Sequence, residues 1–184
     1  MTLWMVRAGR HGEVEDLAFG RSIVAVGSTA GWSRLDDLSQ VHTREQLLSL
    51  CLEVYPDKKR NALRNWVTQL WAFVKQIQVG DLVCTPLKGR AAIAVGRITG
   101  PYRHRPDFPE WRHTRPVEWL NPDLPRSVFG EDLLLSLGSQ LTICQIRRND
   151  AEARVRAILQ TGEDPGVASG LRQPPNPTAR GARG

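Results

Sequence analysis

The segment from Ile77 to Tyr102 constrains the fold of this chain more than any other, because it predicts two adjacent strands joined by a tight, basic loop. A turn at Gly80 and Asp81 leads into the apolar run 82–84, which is typical of a buried strand. A second run, 91–98, consists mainly of Ala, Ile, Val and Gly, and this composition predicts a strand packed closely on both faces. We therefore expect a core hairpin with positive charge at its ends.

The segments around this hairpin predict a mixture of helices and strands. Thr43 and Gln46 have the spacing of a capping box, which predicts a helix over residues 44–54. Asp57 is expected to cap a second, amphipathic helix that ends near Gln76. Similar patterns predict strands at 3–8, 22–26, 114–120 and 141–146, and helices at 131–137 and 151–160. The order indicates an α+β fold with a curved, partly closed sheet flanked by helices.

The periodic apolar pattern ends at Gly162, which is a natural stop for the last helix. Residues 163–184 contain mostly Gly, Pro, Ala, Ser and Arg, a composition typical of disorder. The sequence thus predicts one domain over residues 1–162, followed by a disordered Gly/Pro/Arg-rich tail or linker over residues 163–184.

Charge and cysteine usage indicate the class of partner and the compartment. The chain has 25 Lys and Arg against 19 Asp and Glu, a net charge of +6, which favours an anionic partner such as nucleic acid. The three cysteines lie far apart, and neither they nor the four histidines have the spacing of metal ligands, so we expect no metal and no cofactor. Without a signal peptide or a membrane-length apolar run, a cytoplasmic location is expected.

Patterns of catalytic residues are missing from the sequence. No nucleophile elbow occurs, and the stretch 9–12 lacks the Lys-Ser/Thr ending of a phosphate loop. The full nuclease pattern, an acidic residue followed by an acidic-x-Lys triplet, is not found, and Asp57-Lys58-Lys59 is interpreted as the start of a capped helix. We therefore expect the chain not to be an enzyme by itself.

The aromatic residues suggest a binding site instead. Trp32 and Trp111 both lie in loops, where they would either cover the core or line a pocket. Tyr102 and Trp111 are interleaved with four arginines, Arg103, Arg105, Arg112 and Arg115. Two aromatic faces beside a cavity can hold a base removed from its stack, and arginines around them can grip phosphates.

An ordered series of short motifs carries a family resemblance. Residues 69–73 (QLWAF), 79–83 (VGDLV) and 92–98 (AIAVGRI) resemble the helix, turn and strand pair of EVE domains, members of the PUA superfamily that also includes YTH domains. Residues 31–33 (GWS) are similar to the element that supplies a cage wall in YTH domains. More narrowly, the motifs WxVRAGRxGE, GDLVxTP and RPVEW resemble amino-terminal modules of Mrr-type restriction systems.

This resemblance implies a PUA/EVE-like barrel that flips a modified base out of duplex DNA and directs a fused or associated nuclease to it. On this interpretation Trp32 supplies one stacking face, and Trp111 or Tyr102 supplies the other. The remaining expected pocket residues, which would read the base edge, are Ser33, Asn65, Thr85, Pro86 and Leu87. The expected phosphate contacts are Arg7, Arg10, Lys88, Arg103, Arg105 and Arg112.

The leading expectation is therefore a DNA-binding module that recognises 5-methylcytosine or 5-hydroxymethylcytosine as the specificity part of a restriction or defence system. One alternative is a YTH-like RNA reader of N6-methyladenine or of structured RNA. A second is the specificity fragment of a modification-dependent nuclease whose catalytic domain is absent from this chain. A third is a protein-interaction domain whose positive charge is incidental.

Overall fold

A computed structural model describes residues 1–167, and most of the predicted tail, residues 168–184, lies outside the described residues. Two short 3₁₀ turns (Ser28–Ala30 and Arg126–Val128) and a π-helical turn (Ala72–Gln76) accompany twelve regular elements. The helices are α1 (Glu15–Arg21), α2 (Arg44–Val54), α3 (Arg60–Trp71), α4 (Glu131–Ser136) and α5 (Ala151–Thr161). The strands are β1 (Leu3–Val6), β2 (Ile23–Val26), β3 (Leu82–Pro86), β4 (Ala92–Ile98), β5 (Arg103–His104), β6 (His113–Pro125) and β7 (Ile143–Gln145).

The seven strands form one curled sheet in the order β2-β6-β4-β3-β1-β7, with β5 paired to β6. Among the strand pairs within residues 1–167, β1 and β3 run parallel and the others are antiparallel. The long strand β6 pairs with β2 up to Pro116 and with β4 from Val117 onward, so it passes from one part of the sheet to the other. The predicted α+β class is confirmed, with the sheet curled into a half-barrel and flanked by helices.

Both faces of the sheet are buried, which explains its nearly continuous apolar strands. Successive side chains of a strand point to opposite faces. Trp4 and Val6 of β1 accordingly belong to the core covered by α2 and α3, whereas Leu3 and Met5 belong to the core covered by α4 and α5. The strands that frame the site described below are thus fixed from both sides.

The central hairpin, the helix 44–54 and its capping box agree with the sequence predictions. Other predictions need correction. Asp57 does not cap α3, because the helix begins after Lys59 without a side-chain cap. The strand predicted over residues 114–120 continues as β6 to Pro125, and the register shift opposite Ala94 accommodates Pro122 as a bulge does. Helix α1 was not predicted.

A buried arginine fixes the carboxyl end of the folded domain. Arg154 of α5 donates hydrogen bonds to Asp132 and Asp164, and both the Arg154 and Asp164 side chains are more than nine-tenths buried. The Asp164 carboxylate also accepts a hydrogen bond from the backbone N–H of Gly130. Asp164, two residues beyond the expected domain end at Gly162, thus contacts both α5 and the residue that precedes α4. Among residues 1–167, no helix has the length and apolar character needed to cross a bilayer.

Candidate functional site

A cavity of about 310 Å³ is lined by residues at the carboxyl ends of β1 and β2. It brings together four residues that the sequence analysis assigned to the site, namely Trp111, Arg7, Arg10 and Lys88. Residues without a side chain or with a small apolar one also line the wall: Gly9, Ala25, Val26, Gly27 and Ala30. Three polar residues complete it: Thr29, Gln140 and Thr142.

Arg7 lies immediately after β1 and is held by the segment that precedes β7. Its Nε atom donates a hydrogen bond to the carbonyl oxygen of Ser139 at 3.1 Å, and its Nη2 atom donates to the same oxygen. Its backbone N–H donates to the carbonyl of Thr142 at 2.9 Å. Arg7 is thus a positioned, half-buried cation in the cavity wall.

Trp111 is placed by a close approach of two backbones. The N–H of Ser28 donates to the carbonyl of Glu110 at 2.7 Å. A Cβ atom on Gly27 would lie 2.0 Å from that same carbonyl oxygen, so only glycine fits there. The Trp111 ring is half-buried and packs against a small cluster that contains Ala8 and Val14. These contacts therefore place the Trp111 ring in the wall of the cavity.

The loop between β3 and β4 also contributes to the cavity wall, through Lys88. The backbone N–H of Lys88 donates to Oε1 of Glu15 at 2.8 Å, so the unpredicted helix α1 holds this loop in place. The side chains of Lys88 and Arg10 are exposed, and within residues 1–167 neither forms an ion pair. The lining contains these two cations and Arg7 but no carboxylate, which makes the cavity suitable for an anion.

Three polar residues of the cavity were missed by the sequence analysis: Thr29, Gln140 and Thr142. Hydroxyl and amide groups of this kind can fix the orientation of a bound ligand. Gln140 and Thr142 reach the site only because β7 pairs with β1, and no local pattern in the sequence indicates that pairing.

Trp32 does not line the cavity, and its expected placement is corrected. Its side chain is only 1% exposed and contacts Trp66 edge to face, with ring centroids 6.5 Å apart. The backbone explains this orientation, since Gly31 adopts a positive φ of 82° and the N–H of Trp32 donates to the carbonyl of Gly27. The ring therefore enters the core under α3, where so large an apolar surface is stabilised most by burial.

Tyr102, the other candidate for the second stacking face, packs against the core and does not line the cavity. Its hydroxyl group lies 2.8 Å from Nδ1 of His113 and accepts a hydrogen bond from the N–H of Leu38 at 3.2 Å. Burial raises the pKa of Tyr102 well above its ordinary value of 10.0. Of the three aromatic residues proposed for the cage, only Trp111 borders the cavity.

None of the five residues expected to read the base edge lines the cavity. Thr85 is buried and donates to the carbonyl of Val6, while Pro86 and Leu87 are also buried, and Ser33 is half-buried in the turn after Trp32. Asn65 lies on α3 and has an indirect role: its Oδ1 accepts from Nε2 of Gln69 at 2.7 Å.

Gln69 in turn connects α3 to the cavity wall. Its Oε1 atom accepts from the N–H groups of Thr142 and Ile143 at 2.9 and 3.1 Å. Asn65 and Gln69 therefore position the backbone at Thr142.

The arginine-rich segment before β6 is only partly available to a ligand. Arg103 is exposed, whereas Arg105 forms an ion pair with Asp107, and Nε of Arg112 donates to the carbonyl of Pro109. Arg115 is buried and cannot contact a phosphate, contrary to the sequence expectation. These four arginines do not line the cavity.

Residues 4–143 match a family described as a domain of unknown function (DUF8426), which is more than half of the 184 residues, and the chain belongs to that family. No curated protein matches the chain. Every residue that lines the cavity lies within the matched part.

Proposed function

We propose that this chain is a DNA-binding module that takes a modified base, with 5-methylcytosine or 5-hydroxymethylcytosine as the leading candidates, into the cavity beside Trp111. We further propose that its curled sheet is a PUA-superfamily, EVE-like fold. The single observation that carries the proposal is the convergence of Trp111, Arg7, Arg10 and Lys88 on one cavity.

The charges of the site support an interaction with a nucleic-acid backbone. The side chains of Arg10 and Lys88 are exposed at the cavity and form no ion pair within residues 1–167, so they remain available to phosphates. A phosphate contact by Lys or Arg releases condensed counterions, which gives binding a steep dependence on salt. Arg7 is held more rigidly and suits a fixed phosphate or base oxygen in the wall.

The shape of the site supports an unstacked base. The cavity, at about 310 Å³, is at the lower end of the size range of small-molecule pockets, which begins at about 300 Å³. An enzyme or reader that engages a base outside its stack holds it by aromatic stacking and by hydrogen bonds to its edge. Trp111 offers the stacking face, and Thr29, Gln140 and Thr142 offer the hydrogen-bonding groups.

The role in a restriction or defence system is proposed on the motif resemblance alone. In this arrangement the domain would direct an associated or fused nuclease to modified DNA, and no catalytic step is assigned to residues 1–167. The residues of the domain would bind, orient and select the base.

A binding panel with the wild-type chain tests the proposal. The panel holds one duplex sequence with plain, methylated or hydroxymethylated cytosine, together with a single-stranded RNA with and without N6-methyladenine. We expect a lower Kd for one of the modified duplexes than for the plain duplex at the same salt concentration. Equal affinity for all duplexes would contradict the proposal, and preference for the methylated RNA would assign the cavity to an RNA reader.

A further inference from the structure

A second surface combines exposed cations with aromatic rings outside the cavity. It consists of Arg34, Tyr55, Lys58 and Trp66, and is called the α2–α3 ridge below. Tyr55 follows α2, Lys58 precedes α3, and Trp66 lies on α3 with its ring half-buried. None of these residues lines the cavity, and the sequence analysis assigned no function to them.

Each cation of the ridge is held over an aromatic ring. The Arg34 guanidinium carbon lies 5.1 Å from the centroid of the Tyr55 ring, and Nζ of Lys58 lies 5.7 Å from the Trp66 ring. Tyr55 and Trp66 contact each other edge to face at 5.1 Å. These contacts restrict both cations to one surface without neutralising their charge.

The local balance of charge favours an anionic partner. Within residues 1–167, neither Arg34 nor Lys58 forms an ion pair, although the exposed Asp36 and Asp37 follow Arg34 closely in sequence and the exposed Asp57 precedes Lys58. Two more exposed cations, Lys59 and Arg60, follow Lys58 at the start of α3, which has no acidic residue in its first turn.

The ridge is continuous with the cavity. Thr29 and Ala30 line the cavity, and the next residue, Gly31, lies directly against Trp66: a Cβ atom on Gly31 would be 3.0 Å from that ring. Neighbouring Cα atoms are about 3.8 Å apart, so Trp66 lies beside the rim of the cavity. A strand whose base occupies the cavity would therefore pass over the ridge on one side.

We infer that the α2–α3 ridge binds the DNA backbone on one side of the base held in the cavity, with Lys58 and Arg34 contacting phosphates. This inference rests on the proposed function of the cavity. Tyr55 is buried, whereas Arg34 and Lys58 are exposed and the Trp66 ring is half-buried. Exposed cations beside a partly accessible ring are a combination that follows a nucleic-acid strand without reading its sequence. Binding should consequently need more flanking DNA on one side of the modified base than on the other.

The test combines duplex truncation with charge reversal. Three duplexes carry the same modified base, one with long flanks, one shortened on the 5′ side and one shortened on the 3′ side. Wild-type protein is expected to bind one of the shortened duplexes several-fold more weakly. Lys58→Glu and Arg34→Glu should raise the Kd for the long duplex and for the shortened duplex that the wild type binds well. For the shortened duplex that the wild type binds weakly, the same substitutions should raise the Kd little further, because the contact with the ridge is already missing. Losing one phosphate contact should also reduce the slope of log Kd against log salt by about 1.

Arg148→Glu is the matched control, since Arg148 is exposed and follows β7 at the end away from the cavity. Two results would overturn the inference. The first is that the wild type binds both shortened duplexes with the same affinity, and the second is that Lys58→Glu and Arg148→Glu lose the same affinity for every duplex. The ratio of affinities for modified and plain duplex reports on the cavity separately. If the wild type prefers the modified duplex while the ridge variants bind it with wild-type affinity, only the inference about the ridge is contradicted. If the wild type binds plain and modified duplexes equally, the proposed function is contradicted.

Discussion

His113 is the residue whose chemistry is changed most clearly by its position in this fold. It is fully buried at the start of β6, with Nδ1 2.8 Å from the Tyr102 hydroxyl and Nε2 3.3 Å from the carbonyl of Trp32. This pattern assigns a neutral ring, in which Nε2–H donates to Trp32 and Nδ1 accepts from Tyr102. Burial lowers the pKa of His113 from 6.5 to about 4, with smaller contributions from the nearby His104 and Arg112.

This pKa predicts a loss of stability in mild acid. Because the folded state resists protonation of His113 between about pH 6.5 and pH 4 while the unfolded state accepts the proton, the free energy of unfolding falls as the pH decreases through that range. The loss across that range should be about 3 kcal/mol, since a pKa difference of one unit corresponds to about 1.36 kcal/mol. Urea unfolding of the wild type and of His113→Gln at neutral and mildly acidic pH measures it. The wild type should lose more stability than the variant, and parallel pH profiles would contradict the assignment.

At the scale of secondary-structure elements, the end of α3 depends on a side chain from β6. The helix passes into the π-helical turn Ala72–Gln76, whose carbonyl groups near the end lack helical partners. The buried guanidinium of Arg115 donates to the carbonyls of Phe73 and Val74 at 2.6 and 3.0 Å, and to the carbonyl of Gly100. Burial lowers the pKa of Arg115 to about 10, so the group stays charged at neutral pH beside the carbonyl end of the helix.

Arg115→Met should therefore lower the free energy of unfolding by about 3 kcal/mol, since unsatisfied buried carbonyls cost about 1–3 kcal/mol each. Arg115→Lys should recover only part of the loss, because an ammonium group lacks the planar fork that reaches three carbonyls. Arg103→Met serves as the exposed control and should change stability by less than about 0.5 kcal/mol. Chemical unfolding of the three variants checks this, and equal stability of Arg115→Met and Arg103→Met would contradict the structural role.

Elements with a strong local signal were predicted well. Thr43 and Gln46 form the expected capping box at the start of α2, and the β3–β4 hairpin lies where its turn and apolar runs indicated. Helix α1 was missed because its seven residues span only about two turns, too few for a helical period to stand out in the sequence. Trp32 was misplaced since a loop position does not reveal whether a ring turns toward the core or toward a cavity.

At the scale of the whole molecule, the cavity could not be predicted because tertiary pairing assembles it. Arg7, Lys88, Trp111 and Gln140 come from four distant segments. They meet through the parallel pairing of β1 with β3, the antiparallel pairing of β1 with β7, and the contact of Gly27 with Glu110. The sequence indicated the residue types that a nucleic-acid site needs, whereas the register of the sheet decides which of them share a cavity.

The central claim is that Trp111 is the stacking face for a modified base, and the ratio of Kd values for plain and modified duplex tests it most directly. Because base stacking on an aromatic side chain contributes about 1–3 kcal/mol, Trp111→Ala should remove most of the preference, while Trp111→Phe should retain part of it. Thermal unfolding of both variants verifies that the fold is intact. A folded Trp111→Ala variant with the wild-type ratio would contradict the claim.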